Sequence, residues 1–121
     1  MRVLLVDDET EVRRFFARVL TDLGSWLEVL QAADGREALE LFQREPVDLV
    51  LSDQRMPHMT GLELLMALRS HSHVPFLLIS ADDSIARVAF ALGANEFLTK
   101  PISLVALRNV VKHYAPPAEQ G

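Results

Sequence analysis

The sequence predicts an α/β fold, a doubly wound sheet of five parallel strands with helices on both faces. Two observations carry this. Short apolar, β-branched runs alternate five times with longer segments of helical period, and turn residues stand at the boundaries between them. The resulting order, βαβαβαβαβα, calls for parallel strands joined by crossover helices.

Strand one is "RVLLV" (2–6). Residues 10–23 follow as a helix, with Val12, Phe15, Phe16, Val19, Leu20 and Leu23 on one stripe and Arg13, Arg14 and Arg18 on the opposite face. Gly24 suits the left-handed residue after a helix, and "WLEVLQA" (26–32) is strand two. Asp34 is placed to cap a helix over 35–44, and Pro46 leads into strand three, "VDLVLS" (47–52). Thr60 caps a helix over 61–70, and Pro75 leads into strand four, "FLLIS" (76–80). A helix over 84–92 ends at Gly93, before strand five, "EFLTK" (96–100). Ser103 caps the last helix, 103–114, which the prolines of "APPAEQG" stop. The expected organisation is one domain, 1–114, with 115–121 as a tail or the start of a linker. Strands one, three and four are nearly continuous apolar runs, as central parallel strands should be. Strands two and five are more polar and suit the edges. The order is therefore 2-1-3-4-5, a flavodoxin-like (βα)5 sheet whose ligand crevice lies at the carboxyl ends of strands one and three.

Composition narrows the function classes. Half of the 121 residues are hydrophobic and 24% are charged, as in a globular domain. No apolar run approaches the ~20 residues of a membrane helix. The absence of cysteine removes disulfides, thiol nucleophiles and thiolate metal sites, and fits a cytoplasmic protein. A net charge of −5 with no basic block disfavours direct nucleic-acid binding.

The strand ends hold the chemistry. Strand one ends in Asp7 and Asp8, strand three in Asp53, strand four in Ser80, and strand five in Lys100 before Pro101. Singly, these are ordinary caps, turns or solvated charges. Together they bring carboxylates into one crevice, where mutual repulsion raises at least one pKa and a hard cation relieves it. Carboxylates, a backbone oxygen and waters suit Mg²⁺. Lys100 can hold a phosphoryl oxygen and Ser80 can donate to another. These parts fit phosphoryl transfer with Asp53 as the nucleophile, giving an acyl phosphate.

On "LLVDDE", "LVLSDQRMPHMTG", "LLISA" and "FLTKP", in this order and spacing, the chain resembles the receiver domain of two-component response regulators, including the chemotaxis-regulator type. The resemblance covers about residues 2–114. It implies Asp53 as phosphoacceptor, Asp8 as direct Mg²⁺ ligand, Asp7 as a ligand through water, and the backbone carbonyl of Arg55 as a further ligand. It implies that Lys100 pairs with the phosphoryl group and that the Lys100–Pro101 bond is cis. Ser80 and Phe97 match the switch pair, in which the hydroxyl moves onto the phosphoryl group and the ring turns inward. Arg55 and Asp82 would flank the approach of water, and their opposite charges suggest a pair gating that approach. The implied partner is a histidine kinase or histidine phosphotransfer protein. Output would be read on the face of helix four, strand five and helix five, with dimerisation through that face on phosphorylation as one form of readout.

His58 stands where glycine is frequent in related loops and reads as a surface residue; His71 and His73 lack a third metal ligand. Two rivals remain. One is an aspartyl-phosphate phosphatase, which needs an acidic residue where Arg55 stands. The other is a degenerate receiver that acts only as an interaction module. The leading expectation is a signalling domain, not an enzyme with a separate substrate, that catalyses only its own phosphorylation and dephosphorylation.

Overall fold

The computed structural model describes residues 1–120. The strands are β1 (Arg2–Val6), β2 (Glu28–Ala32), β3 (Leu49–Asp53), β4 (Phe76–Ser80) and β5 (Glu96–Thr99). They form one parallel sheet in the order β2-β1-β3-β4-β5. Between and after them run α1 (Thr10–Thr21), α2 (Gly35–Arg44), α3 (Gly61–Arg69), α4 (Ala86–Ala91), α5 (Leu104–His113) and the short α6 (Pro117–Gln120).

Period-two alternation divides the core between the two faces. Leu4, Val6, Val50, Phe76 and Leu78 cluster with Ala38 of α2, Leu64, Leu65 and Leu68 of α3, and Ala89 of α4. Val3, Leu5, Leu49, Leu51, Leu77 and Ile79 cluster with Ala17 and Leu20 of α1 and with Leu107 and Val111 of α5. Each fully buried leucine contributes roughly 2 kcal/mol relative to exposure. Helix starts follow the expected caps. Asp34 accepts from the Glu37 amide, Ser103 from the Ala106 amide, and Thr60 forms a reciprocal capping box with Glu63.

Four expectations change. Phe15 does not join the inner stripe of α1 but is 50% exposed, while Ala17 is buried. The reason is angular: at 3.6 residues per turn Phe15 lies about 140° around the helix from Leu20. Arg13, two turns before Leu20, leaves the solvent face for the inner one and binds the end of β1. The fourth helix is divided into a 3-10 turn at Asp83–Ile85 and then α4, because Asp82 caps the Ser84 amide tightly. The tail is not wholly irregular. It makes α6, and Gln120 Nε2 donates to the carbonyls of His113 and Ala115 at 3.0 and 2.8 Å. Among the described residues, no helix is long and apolar enough to cross a membrane.

Candidate functional site

Parallel register aligns the strand ends. Val6 pairs with both Ala32 and Ser52, Asp53 with Ile79, and Ser80 with Thr99. The residues at those ends therefore surround a single cavity of about 820 Å³, lined in part by Asp8, Asp53, Arg55, Ser80, Asp82 and Lys100. Asp53 is 4% exposed and Asp7 5%, whereas Asp8 is open to solvent.

The acidic corner is dense. One carboxylate oxygen from each of Asp7, Asp8 and Asp53 lies within 4.8 Å of the others. Burial pushes the Asp7 carboxyl above its ordinary pKa. The Glu9 amide works against this, the Asp53 charge adds to it, Lys100 opposes it and Asp8 adds to it. Asp7 Oδ1 accepts that Glu9 amide at 2.9 Å, which turns the chain into α1. Lys100 Nζ donates to Asp53 Oδ2 at 3.0 Å. The Lys100 amide meets the Ser80 carbonyl at 2.9 Å, and the Lys100–Pro101 peptide is cis.

The loop after Asp53 is closed by its neighbour. The Gln54 carbonyl accepts from the Gly61 amide at 2.9 Å and Gln54 Oε1 from the Leu62 amide at 2.8 Å. Gly61 is required there: a Cβ would stand 2.5 Å from both the Asp53 carbonyl oxygen and Leu78 Cδ1. His58 sits at the loop tip with φ of 69°, exposed, where glycine would adopt the same backbone at lower cost. His71 is occupied with Ser70, its Nδ1 lying 3.0 Å from the hydroxyl.

The Ser80 hydroxyl oxygen accepts from the Asp82 amide at 3.0 Å. Asp82 Oδ1 in turn accepts from the Ser84 amide at 3.0 Å and its hydroxyl at 2.5 Å. These two bonds, more than the charge of Arg55, hold the Asp82 carboxyl below its ordinary pKa. Arg55 and Asp82 do line one cavity, but they are not among the ion pairs of the described residues. Phe97 is half-buried on β5 and packs against the α2–α4 side of the core.

A cation fits this corner. Hard carboxylate oxygens converge, and the exposed Asp8 leaves an entry path. Two contributors went unread in the sequence. Gln54 has no motif of its own. Arg13 was grouped with Arg14 and Arg18 on the solvent face, and only its helical angle to Leu20 signals an inner position.

A family model described as the response regulator receiver domain matches residues 3–112. The chain belongs to the response-regulator receiver domain family. As a receiver it is similar to the chemotaxis protein CheY of Pseudomonas aeruginosa, with 34% identity over 118 residues, 93% of this chain and 94% of that protein. It is 37% identical over 114 residues to response regulator RR06 of Streptococcus pneumoniae serotype 2, covering 93% of this chain and 52% of that one. The chain thus spans about half the length of RR06, and 42% of the probable transcriptional regulator ycf27 of Porphyridium aerugineum. Among solved structures it resembles chemotaxis protein CheY4 of Vibrio cholerae, with a TM-score of 0.85 and 35% identity over 93% of this chain and 97% of that one. The receiver is accordingly a signalling domain of two-component systems.

Proposed function

We propose that this receiver takes a phosphoryl group onto Asp53 from the phosphohistidine of a histidine kinase or histidine phosphotransfer protein. One observation carries the reading. A nearly buried carboxylate at the cavity stands between a lysine ammonium at 3.0 Å and two further carboxylates within 4.8 Å. That arrangement sets Asp53 between one positive group and one candidate cation site, which is what an incoming phosphoryl group needs.

An Asp53 carboxylate oxygen attacks phosphorus, and the phosphorus–nitrogen bond breaks. The imidazole leaves with the electron pair and takes a proton from solvent. Asp53 becomes an acyl phosphate, and later attack by water returns the carboxylate and inorganic phosphate. Asp8, Asp7, Asp53 and the Arg55 carbonyl would hold Mg²⁺, which supplies charge neutralisation and alignment of phosphoryl oxygens. Lys100 exchanges its bond to Asp53 Oδ2 for one to a phosphoryl oxygen.

Ser80 carries the switch. Its oxygen already accepts the Asp82 amide, so its proton is free to be donated to the phosphoryl group. That movement opens space for Phe97 to turn inward. The change is read on the face of α4, β5 and α5, where Val88, Phe90 and Val105 are exposed, by a partner or a second copy. Arg55 and Asp82 flank the water approach, and the engagement of Asp82 with Ser84 leaves Arg55 as the side chain free to screen it. Residues 1–114 form the receiver, and 115–121 its tail or the start of a linker to an output region. A phosphatase is disfavoured because Arg55 replaces the acid that such an enzyme needs. The test is intact-mass measurement after treatment with acetyl phosphate and Mg²⁺. Wild type should gain one phosphoryl group and Asp53→Asn none; equal labelling would reject the assignment, and no labelling of either would favour the interaction module.

A further inference from the structure

We propose that Arg13 is a positioning residue for the cation site: its guanidinium holds the Asp7–Asp8 peptide in the orientation that presents Asp8. This rests on the reading of the acidic corner as a cation site.

Asp7 is fixed at three points. Its amide donates to the Ala32 carbonyl at 3.1 Å, its Oδ1 accepts the Glu9 amide at 2.9 Å, and its carbonyl accepts Arg13 Nη1 at 2.8 Å. The third bond sets the course of the chain at Asp8. A peptide unit is planar, so fixing the Asp7 carbonyl fixes the Asp8 amide and the position of the Cα from which the Asp8 side chain departs. Asp8 is solvent-exposed and enters no ion pair among the described residues. Its carboxylate therefore depends on the backbone for its aim.

Arg13 can serve this purpose because it is itself held at both ends. Its Nε donates to Gln31 Oε1 on β2 at 3.1 Å, and its own amide donates to the Glu9 carbonyl at 2.9 Å inside the first turn of α1. The guanidinium thus ties the end of β1 to the neighbouring strand and to the helix, and its planar fork holds both acceptors at once. The choice of acceptor also matters. Arg13 bonds a carbonyl and takes part in none of the ion pairs among the described residues. It orders the acidic corner without neutralising the carboxylates a cation requires.

The experiment is Mg²⁺ titration of the whole chain by calorimetry, with melts in EDTA alongside. The variants are Arg13→Gln, Arg13→Lys, Gln31→Ala, Arg14→Gln and Asp8→Asn. Outer partners of metal ligands typically matter by 10- to 100-fold in affinity. Arg13→Gln should weaken Mg²⁺ binding about 10-fold, Arg13→Lys less, because a lysine holds one acceptor, and Gln31→Ala by a few-fold. Charge alone predicts the reverse sign, since losing a positive group should favour a cation. Arg14→Gln, with the same charge change on the exposed face, therefore controls for it and should bind as wild type does or slightly tighter. An Mg²⁺ affinity within twofold of wild type in Arg13→Gln overturns the proposal, even if its melting temperature in EDTA falls. If Arg13→Gln does not fold, Arg13→Lys decides by the same twofold criterion. Loss of binding in Asp8→Asn with none in the Arg13 variants refutes the positioning role alone. Absence of Mg²⁺ binding by wild type refutes the site and the positioning role together.

Discussion

Replacing Asp8 by Asn should stabilise the metal-free receiver and blunt its response to Mg²⁺. Asp8, Asp7 and Asp53 present oxygens within 4.8 Å of one another. At that separation a pair of like charges costs roughly 3 kcal/mol at an effective dielectric of about 20, and roughly 1 kcal/mol in bulk water. Asp8 is exposed, so the lower figure applies to each of its two pairs. Lys100, whose Nζ lies 3.0 Å from Asp53, attracts Asp8 as well and offsets part of the repulsion. The relief expected from Asp8→Asn is about 1–2 kcal/mol, or roughly 4–8 °C in melting temperature for a domain of this size. The assay is a pair of melts, in EDTA and in Mg²⁺. At ~100 times its dissociation constant Mg²⁺ should stabilise wild type by ~2.7 kcal/mol, enough to reverse the order of the two proteins. The pH dependence has a definite sign. The folded state binds the Asp7 proton more tightly than the unfolded chain does. Metal-free stability should therefore fall as pH rises from the ordinary carboxylate pKa through Asp7's raised one. An Asp8→Asn protein that melts lower in EDTA, or gains as much from Mg²⁺ as wild type, would refute the reasoning.

Two further outcomes test the surrounding structure. Gly61→Ala should destabilise by about 1–3 kcal/mol in urea unfolding, despite alanine's better helix propensity, because its Cβ would meet the Asp53 carbonyl and Leu78 at 2.5 Å; an unchanged midpoint would show that the site relaxes freely. Arg55→Asn should speed loss of label from phosphorylated receiver by up to ~5-fold, which is about 1 kcal/mol in the barrier. Slower loss would mean that Arg55 does not screen water.

Much of this protein was legible from its one-dimensional pattern. Helix and strand patterns are local consequences of backbone geometry, so the alternation of elements follows from them, and the order β2-β1-β3-β4-β5 follows from the continuous apolar runs of the central strands against the more polar edges. Asp34, Thr60 and Ser103 cap their helices as expected because capping is settled within four residues. Asp7, Asp8, Asp53, Ser80 and Lys100 converge because parallel strands in register must place their carboxyl ends together. Tertiary structure decided the rest. The inner face of α1 is chosen by what the sheet offers it, so Phe15 turned out and Arg13 turned in. Opposite charges suggested that Arg55 would pair with Asp82. Asp82 bonds Ser84 instead, since a neighbour two residues away is reached with far less loss of side-chain freedom than one across a cavity. Gln54 takes the Leu62 amide, eight residues on, because the loop folds the start of α3 back against it. Such choices depend on which partner lies nearest in three dimensions, and only the assembled sheet and its helices determine that.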